Sequence, residues 1–524
     1  MVSPGRSQGK EKQVPNEVES TPPTRRGFLG AMTALTAASY SRVLGANDRV
    51  GIGFIGYGLI GKQHITNFKR SFPDVDRVAM CDVYKPRLEE GLAYLENPNA
   101  KGYGDFRKMY ENKDIDGVVV ATPDHWHAML TIMACAAGKD VYVEKPLTVF
   151  IDEGKWMLQA MNKYKRVVVV GTQRNHNPGH LVAKKVIESG ILGKIQAVKL
   201  GAGGRNVYPG FGKTPVEDPP ADFDYDMWLG PAAKKPYQKH RGLYHFRWFW
   251  DYSGGQLTNL GAHSVAAFLL VMGVKGPTKV VSFGGRFTLE DDGETPDLQE
   301  CIYEFPGFQM TMGVREANSY RDSTGSVVLG NKGNLVLGSN AVVPESHGDP
   351  INQIPRFMGH PIGGPVYNDT RSVPWIEAQP GSGGRGGAGG AGGAGRGQGE
   401  VARGAGAAAR GESEAAARGA GRAAGGRGGG PDDPNSQENQ MFNANKRDWI
   451  SCIKTRNKPF CDLELGHRTA TICNLGNMSL RLGGRAIHWD PDKEMVIGDK
   501  EAAAMCTKPY RAPWEAALRS AIKV

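Results

Sequence analysis

One short segment near residue 50 restricts the fold of this chain more than any other feature. Val50–Ile55 is an apolar run typical of a buried strand. It leads directly into Gly56-x-Gly58-x-x-Gly61, after which a helical pattern continues to about Lys69. In such a unit the first glycine permits a tight turn, the second lets the backbone approach a pyrophosphate, and the third packs the helix against the strand. The segment therefore predicts a dinucleotide-binding βαβ unit.

The second predicted strand, 78–82, indicates which dinucleotide is expected. It ends in Asp82, 26 residues after Gly56. A carboxylate there suits the ribose hydroxyls of NAD and would repel the extra phosphate of NADP, so NAD is the expected cofactor. The alternative is that Asp82 only caps a turn. At the start of the first helix, free N–H groups and the positive dipole end would face the phosphates. The other loop residues expected at the cofactor are Tyr57, Leu59 and Ile60.

Strands and helices then alternate up to residue 171. The predicted strands are 117–122, 140–144 and 167–171, and the predicted helices are 125–137 and 152–164. This rhythm predicts an α/β fold, a doubly wound parallel Rossmann sheet over about 48–171. Ligands bind such sheets at the carboxyl ends of the strands. The residues thereby placed beside the nicotinamide half of the cofactor are Thr122, Pro123, Glu144 and Lys145.

The chain length and charge limit the other possibilities. A length of 524 residues suggests two domains with additional segments. Of the net charge of +10, residues 381–430 contribute +4 and residues 1–47 contribute +3. The remaining body is therefore near +3, and no nucleic-acid partner is expected. Residues 381–430 are Gly, Ala and Arg with almost no large apolar side chains, which predicts a disordered insertion. An inert linker is favoured over an RGG-like nucleic-acid segment.

The N-terminal residues 1–47 resemble an export signal. Arg25 and Arg26 are followed by Phe-Leu, a weakly apolar run to about Tyr40, and small residues at 43–46. This pattern is typical of a twin-arginine leader, and the run is too short to span a bilayer. The alternative is a disordered basic tail. Because twin-arginine export carries folded proteins, a periplasmic enzyme with tightly held cofactor is expected, and no membrane span is predicted.

The cysteines give no sign of a disulfide framework or a metal centre. There are seven, an odd number, and none forms a CxxC pair. Cys81 and Cys135 fall in segments predicted to be buried strand and helix. They are expected to be small core residues, and no metal site is predicted.

Further motifs accompany the glycine fingerprint in a fixed order. They are Ala121-Thr122-Pro123-Asp124-His125-Trp126-His127, Glu144-Lys145-Pro146, Asp251-Tyr252-Ser253-Gly254-Gly255 and Gly261-Ala262-His263. In order and spacing the chain resembles the Gfo/Idh/MocA oxidoreductases, which include glucose–fructose oxidoreductase. The resemblance covers most of the chain outside the leader and the 381–430 insertion. It implies NAD or NADP as cofactor and a sugar or cyclitol as substrate. Some members are redox-neutral: they oxidise a sugar transiently, eliminate a glycosidic bond and reduce the product.

The resemblance also implies catalytic roles. Hydride transfer from an alcohol requires removal of the hydroxyl proton, for which histidine is suited. His263 is implied to be this base, and Lys145 to hydrogen-bond the reacting hydroxyl and stabilise the alkoxide. Asn259 lies four residues before His263, so both are expected on one face of a helix. The family commonly has Asp at this position. Asn259 can orient substrate but cannot carry negative charge, which leaves His263 more alone as base.

Three more residues are candidates with open alternatives. His127 is expected at the cofactor, or it only opens the helix beneath it. Trp126 either lines the sugar site or packs in the core. Arg174 follows the last Rossmann strand and is expected to contact a substrate hydroxyl.

The second half predicts an α+β domain over 172–380 that resumes at 431–524. Predicted strands at 280–287, 299–305, 309–314, 326–330 and 334–337 alternate with Gly or Pro and suggest an open, mostly antiparallel sheet. Predicted helices at 445–455 and 465–482 return to the domain. By analogy with the family, such sheets pair between subunits, and a homodimer or homotetramer is expected.

Three functions remain open. The first is an NAD-dependent sugar oxidoreductase with tightly bound cofactor. The second is a redox-neutral glycoside hydrolase or lyase that uses NAD transiently. The third is a non-catalytic sugar-binding protein, against which the glycine fingerprint, Lys145 and His263 argue.

Overall fold

The computed structural model describes residues 49–204, 206–317, 325–337, 341–344, 373–374 and 436–522. The predicted leader and the predicted 381–430 insertion lie outside these residues. Within the described ranges we find no helix with the length and hydropathy needed to cross a bilayer. The same ranges contain no group of three His, Cys, Asp or Glu side chains arranged to hold a metal ion.

A six-stranded parallel sheet forms the first domain, with the order β3-β2-β1-β4-β5-β6. Four of its strands are short apolar runs that are buried along their whole length, as expected for a sheet covered on both faces. This order confirms the predicted doubly wound sheet. The strands are β1 (Val50–Ile55), β2 (Val75–Cys81), β3 (Lys101–Tyr103), β4 (Gly117–Val120), β5 (Asp140–Val143) and β6 (Val168–Val170).

Five helices cover this sheet: α1 (Leu59–Ser71), α2 (Lys85–Tyr94), α3 (Phe106–Tyr110), α4 (His127–Ala136) and α5 (Ile151–Tyr164). All ten residues of α4 are buried, because it lies beneath both the sheet and the C-terminal segment. The predicted helix 125–137 begins later than expected. A 3-10 turn, Asp124–Trp126, precedes it, since Trp126 N–H donates to the Pro123 carbonyl.

The second domain contains a ten-stranded sheet with the order β14-β13-β12-β11-β7-β10-β9-β8-β15-β16. Neighbours are antiparallel except β7 and β10, which are parallel, and this confirms the mostly antiparallel sheet. The strands are β7 (Ile195–Gly203), β8 (Lys279–Gly285), β9 (Leu298–Phe305), β10 (Phe308–Arg315), β11 (Val327–Gly330), β12 (Gly333–Val336), β13 (Ala341–Pro344), β14 (Val373–Pro374), β15 (Ile487–Asp490) and β16 (Met495–Val496). Sequence patterning missed β7, which supplies the parallel pair.

The remaining helices are α6 (Pro178–Glu188), α7 (Tyr225–Leu229), α8 (Gly255–Asn259), α9 (Gly261–Met272), α10 (Gln437–Thr455), α11 (Leu463–Arg481), α12 (Lys500–Ala504) and α13 (Trp514–Ile522). We predicted that residues 431–524 rejoin the second domain, but the structure divides them between both. Trp449 of α10 is fully buried in the first domain against Gly117, where a Cβ would lie 2.9 Å from its ring. Trp514 of α13 packs with the residues of α4, whereas Ile472 of α11 packs in the second core.

Candidate active site

The glycine loop between β1 and α1 has three distinct environments. Gly56 has a φ of +92°, and a Cβ there would lie 2.6 Å from the Ala121 carbonyl oxygen. A Cβ at Gly61 would lie 2.0 Å from the Gly56 carbonyl oxygen. Around Gly58, by contrast, no atom lies within 4 Å of a Cβ position. The first and third glycines therefore allow close packing, and the second leaves open space beside the backbone.

The start of α1 suits a bound phosphate. Gly58 is its N-cap and offers no side-chain hydrogen bond, and the first turn contains no acidic residue. Unpaired N–H groups and the positive dipole end therefore face the open space. Leu59 is 64% exposed there and Ile60 is partly buried. The buried Tyr57 side chain points away to Glu90, at 3.2 Å from the phenol oxygen.

Asp82 lies directly beside this loop. Its carboxylate accepts hydrogen bonds from the backbone N–H of Tyr57 at 2.8 Å and of Tyr84 at 2.9 Å. Burial raises its pKa, while these bonds favour the ionised form. Thr122, at the end of β4, has a buried hydroxyl with no partner in the described part of the chain. A carboxylate beside the loop, an open glycine and an unsatisfied hydroxyl fit an NAD molecule along this edge.

Lys145 and Asn259 meet where the two domains join. The Lys145 Nζ donates to the Asn259 side-chain oxygen at 2.8 Å and contacts its backbone oxygen at 3.3 Å. The Asn259 amide nitrogen in turn donates to Gln256 Oε1 at 2.9 Å. Asn259 thus orients Lys145, as an oxygen acceptor held by a second amide.

The prediction that Asn259 and His263 share one helix is wrong. Asn259 ends α8, and His263 lies in the first turn of α9, which begins at Gly261. Leu260 keeps helical φ and ψ of −86° and −38°, so α8 and α9 meet at an irregular turn before Gly261, a residue that favours helix poorly. His263 is nevertheless buried, and its backbone N–H donates to the Leu260 carbonyl at 3.2 Å. Asn259 and His263 therefore both lie at the junction of α8 and α9.

The Glu144 carboxylate is hydrogen-bonded to the backbone of Lys145. Its Oε2 accepts from the Lys145 backbone N–H at 3.1 Å, and its Oε1 lies 2.9 Å from His64 Nε2. Burial disfavours the ionised form, but the hydrogen bond and charge of His64, followed by the charges of Lys145 and Lys446, outweigh it and lower the pKa of Glu144. The Lys145–Pro146 bond is cis.

His127 connects two loops at this edge of the sheet. Its Nδ1 lies 2.7 Å from the Pro146 carbonyl oxygen and its Nε2 lies 3.0 Å from the Thr122 carbonyl oxygen. It also begins α4, as predicted for the alternative role. Pro123 precedes the 3-10 turn and directs the chain from Thr122 into it.

Trp126 occupies the core. It is 5% exposed, and its indole N–H donates to the Trp228 carbonyl at 2.8 Å. Its ring meets Trp514 edge-on at 4.9 Å and Phe106 at 5.4 Å. These contacts favour packing over a place in the sugar site.

Arg174 is exposed, whereas its two neighbours are buried. Gln173 is 3% exposed and Asn175 is 1% exposed. The Gln173 Oε1 and both amide atoms of Asn175 have no hydrogen-bond partner among the described residues. Unsatisfied buried amides are costly, so both side chains call for a partner that the described residues do not supply. Sequence analysis missed them, because uncharged amides in a loop give only a weak signal.

A small cavity lies beside Lys145, just after the end of β5. Its volume is about 10 Å³, and its lining includes Lys145, Thr172, Thr258 and Ala262. The Thr172 hydroxyl is buried and unpaired within the described ranges. The space is about that of one water molecule.

Asp124 and Ser253 fasten the two domains beside the site. The Ser253 hydroxyl donates to Asp124 Oδ2 at 2.5 Å, and both side chains are buried. Burial raises the pKa of Asp124, and the nearby charges of His127, Arg247 and Lys145 act in the opposite direction. The motif that contains Asp124 therefore holds the second domain against the first.

A wide depression of about 1680 Å³ lies at the opposite edge of the sheet. Its lining includes Val50, Asp116 and Asp140, where strands begin. Arg456 already pairs there with Asp140, at 2.6 Å. Because ligands bind these sheets at the carboxyl ends of strands, the depression is not the candidate active site.

Two family profiles match the chain. One, the NAD-binding Rossmann fold of the GFO/IDH/MocA oxidoreductase family, matches residues 50–172. The other, the C-terminal alpha/beta domain of the same oxidoreductase family, matches residues 180–284 and 434–516. Together they cover more than half of the chain and both described domains.

Curated relatives match about a third of the chain. Inositol 2-dehydrogenase of Salmonella typhimurium is 31% identical over 143 residues, 27% of this chain and 42% of that enzyme. Inositol 2-dehydrogenase 4 of Saccharopolyspora erythraea is 29% identical over 187 residues, 35% of this chain and 55% of that enzyme. The chain therefore spans only about half of the length of these relatives.

Solved structures match both domains. The WlbA dehydrogenase of Bordetella pertussis, in complex with NADH and UDP-GlcNAcA, has a TM-score of 0.52 at 17% identity, covering 84% of this chain and 99% of that one. Myo-inositol dehydrogenase of Lactobacillus casei, in complex with NAD(H) and myo-inositol, has a TM-score of 0.52 at 16% identity, covering 84% and 97%. At sequence identities this low, the similarity shows only that the chain shares the fold of these enzymes.

Proposed function

The chain belongs to the Gfo/Idh/MocA oxidoreductase family, and we propose that it transfers hydride between NAD and a carbon of a sugar or cyclitol. The observation that carries this proposal is the contact between Lys145 Nζ and the Asn259 amide oxygen, 2.8 Å apart where the domains meet. It presents an ammonium group at the carboxyl end of β5, on the edge where the glycine loop fits NAD. The similarity to inositol dehydrogenases supports a polyol substrate.

In the proposed reaction each active-site residue has a separate role. NAD, when bound along the glycine loop, would supply the hydride acceptor or donor. His263 takes the hydroxyl proton of the substrate, and the Lys145 ammonium hydrogen-bonds the oxygen on which negative charge develops. Asn259 holds Lys145 but has no basic site, so it positions the ammonium and accepts no proton. Gln173 and Asn175 offer their unsatisfied amides to further hydroxyls.

We also propose export through the twin-arginine pathway and a tightly held cofactor. Arg25 and Arg26 with the following Phe-Leu support export. An exported enzyme meets no nicotinamide pool, so its cofactor would have to be regenerated in place. Substitution of both arginines with lysine is expected to leave the protein in the cytoplasm. Periplasmic recovery of that variant would contradict the export proposal.

Asn259 favours a second candidate function, redox-neutral cleavage of a glycoside. Such a reaction oxidises a sugar carbon, eliminates the glycosidic bond and reduces the product, without net change of NAD. A net dehydrogenase releases NADH-equivalents to an acceptor, whereas the redox-neutral enzyme works without one. Exchange of a sugar C–H for deuterium from solvent during cleavage would distinguish the second.

A homodimer or homotetramer is part of the proposal. Phe283, Phe287 and Ile302, on β8, just after it and on β9, are 61%, 69% and 47% exposed. Apolar side chains grouped on a sheet face are typical of an interface. Light scattering on the purified protein would give the subunit number, and a monomer would contradict this part.

The function is tested first by mass spectrometry of nucleotide released on denaturation. One NAD or NADH per chain would support the tight cofactor, and sugars and glycosides would next be screened without added NAD. Reversible binding by an empty protein would instead indicate an ordinary dehydrogenase. If neither NAD nor NADH binds, the proposed function is wrong.

A further inference from the structure

Two hydrogen bonds in series extend from Lys145 into the second domain. The Lys145 Nζ donates to Asn259 Oδ1 at 2.8 Å, and Asn259 Nδ2 donates to Gln256 Oε1 at 2.9 Å. Asn259 and Gln256 lie three residues apart on α8, and each is 2% exposed. Gln256 is therefore a buried amide that reaches the Lys145 ammonium through one intervening side chain.

The ammonium group dictates the direction of both hydrogen bonds. An ammonium only donates, so it can meet only the oxygen of the Asn259 amide. The Asn259 nitrogen must then face away from Lys145, and it needs an acceptor because it is buried. Gln256 Oε1 supplies that acceptor. If the Asn259 amide were turned over, its NH₂ group would lie against the ammonium, and two donors would face each other.

No described group at the far end of this series turns the Gln256 amide the other way. Its Nε2 is buried and has no hydrogen-bond partner among the residues that the structure describes. The Gln256 backbone, by contrast, is held on both sides. Its carbonyl accepts from the Leu260 N–H at 2.9 Å. The carbonyl of Gly254, the N-cap of α8, accepts from Asn477 Nδ2 of α11 at 2.8 Å. The helix therefore presents Gln256 Oε1 to Asn259 from a fixed position.

This need for an acceptor is specific to an amide at residue 259. A carboxylate offers two equivalent oxygens, and either could accept from Lys145. An amide has one oxygen and one NH₂ group, so a second group must fix which of them faces the ammonium. We propose that Gln256 is a positioning residue: it accepts the Asn259 NH₂ group and thereby keeps the Asn259 oxygen on Lys145. The proposal rests on the proposed function only for the role of Lys145 in turnover.

The first experiment uses Gln256→Met, which removes the acceptor and keeps the length of the side chain. It also removes the unpartnered Nε2, so stability is expected to change little. With its nitrogen unpaired, Asn259 is expected to rotate, and the crystal structure should lack the contact between Lys145 Nζ and Asn259 Oδ1. Leu257→Met is the matched control, because it places the same side chain at the next buried position of α8. The control should keep the contact.

Gln256→Glu tests whether the acceptor itself is what matters. Ionised or protonated, its carboxyl group keeps an oxygen that can accept from Asn259 Nδ2, so the contact at Lys145 is expected to remain. Loss of the contact in this variant would overturn the proposal. If Gln256→Met does not fold, Gln256→Leu takes its place, since it also lacks an acceptor.

Where turnover is measured, Gln256→Met is expected to lower kcat about tenfold with little change in KM, because the ammonium loses its place beside the reacting oxygen. In an Asn259→Asp background the same substitution should change kcat by less than about twofold, since either carboxylate oxygen can accept from Lys145. Equal losses in both backgrounds, or an unchanged contact between Lys145 and Asn259 in the variant without an acceptor, would overturn the proposal. Absence of turnover in wild type with every sugar would refute the proposed function alone, because the crystal structures need no substrate.

Discussion

Substituting Gly58 with Ala is expected to weaken cofactor binding without unfolding the protein. A Cβ at Gly58 meets no atom within 4 Å, and its φ of −84° is accessible to Ala. Ala is a slightly poorer N-cap than Gly but restricts the unfolded chain more, so stability should change by no more than about 0.5 kcal/mol. The added methyl group would occupy the space in which a pyrophosphate approaches α1. Loss of one charge-assisted hydrogen bond, about 1.5–3 kcal/mol, corresponds to about 10- to 100-fold weaker NAD binding.

Gly61→Ala is the matched variant for the opposite effect. Its Cβ would lie 2.0 Å from the Gly56 carbonyl oxygen, so α1 would have to move away from β1. Overpacking of this kind costs about 1–3 kcal/mol, and the unfolding midpoint should fall. Both variants are expected to bind NAD poorly, but only Gly61→Ala should lose stability.

The assay combines thermal unfolding with NADH titration by fluorescence, on protein freed of nucleotide. Wild-type affinity in a stable Gly58→Ala variant would refute the inference that a pyrophosphate passes over Gly58. Equal loss of stability in both variants would refute the distinction between an open and a packed glycine.

Three further predictions concern the site and the core. His263→Ala is expected to abolish turnover while NADH titration shows unchanged binding; retained turnover would exclude His263 as the base. Asn259→Asp places a negative charge against Lys145, so it is expected to tighten NAD⁺ relative to NADH about tenfold, measured by parallel titrations, and an unchanged ratio would place Asn259 away from the nicotinamide. Burial raises the pKa of Glu153 to about 7, against the hydrogen bond from Tyr510. The folded state therefore keeps a proton that the unfolded state releases at about pH 4.5, and stability should fall by about 3 kcal/mol between about pH 4.5 and pH 7. Glu153→Gln should flatten this dependence in urea unfolding between about pH 5 and 8, and an unchanged slope would show that Glu153 does not cause it.

The first domain was largely predictable because its signals are local. The apolar run of β1, the glycine spacing and the strand ends at Thr122 and Lys145 follow from short-range chemistry. A buried parallel strand requires apolar residues, and a phosphate loop requires glycine, whatever lies elsewhere in the chain. The strand order then follows from alternation with helices.

The features that were missed depend on contacts between distant segments. Trp449 lies more than 300 residues from Gly117 in sequence, so nothing local assigns α10 to the first domain. The burial of Gln173 and Asn175, unlike the exposure of Arg174, depends on how α9 and α10 close over the loop. Charge favoured Arg174 in the sequence, whereas the fold buries its neutral neighbours.

The amide at position 259 affects the charge at the proposed active site. Asn259 is the last residue of α8, and its side-chain amide is hydrogen-bonded to Gln256 and Lys145. A carboxylate here would neutralise the Lys145 ammonium, whereas the amide leaves that positive charge uncompensated by residue 259. A positive site stabilises a developing alkoxide and disfavours the positive ring of NAD⁺, and the tenfold change expected for Asn259→Asp corresponds to about 1.4 kcal/mol. Repulsion of the NAD⁺ ring favours the oxidised sugar together with NADH at the site, which is the state that a redox-neutral glycoside cleavage must hold while the leaving group departs. The same state is only transient in a net dehydrogenase, so the Asn259→Asp variant bears on the choice between the two functions.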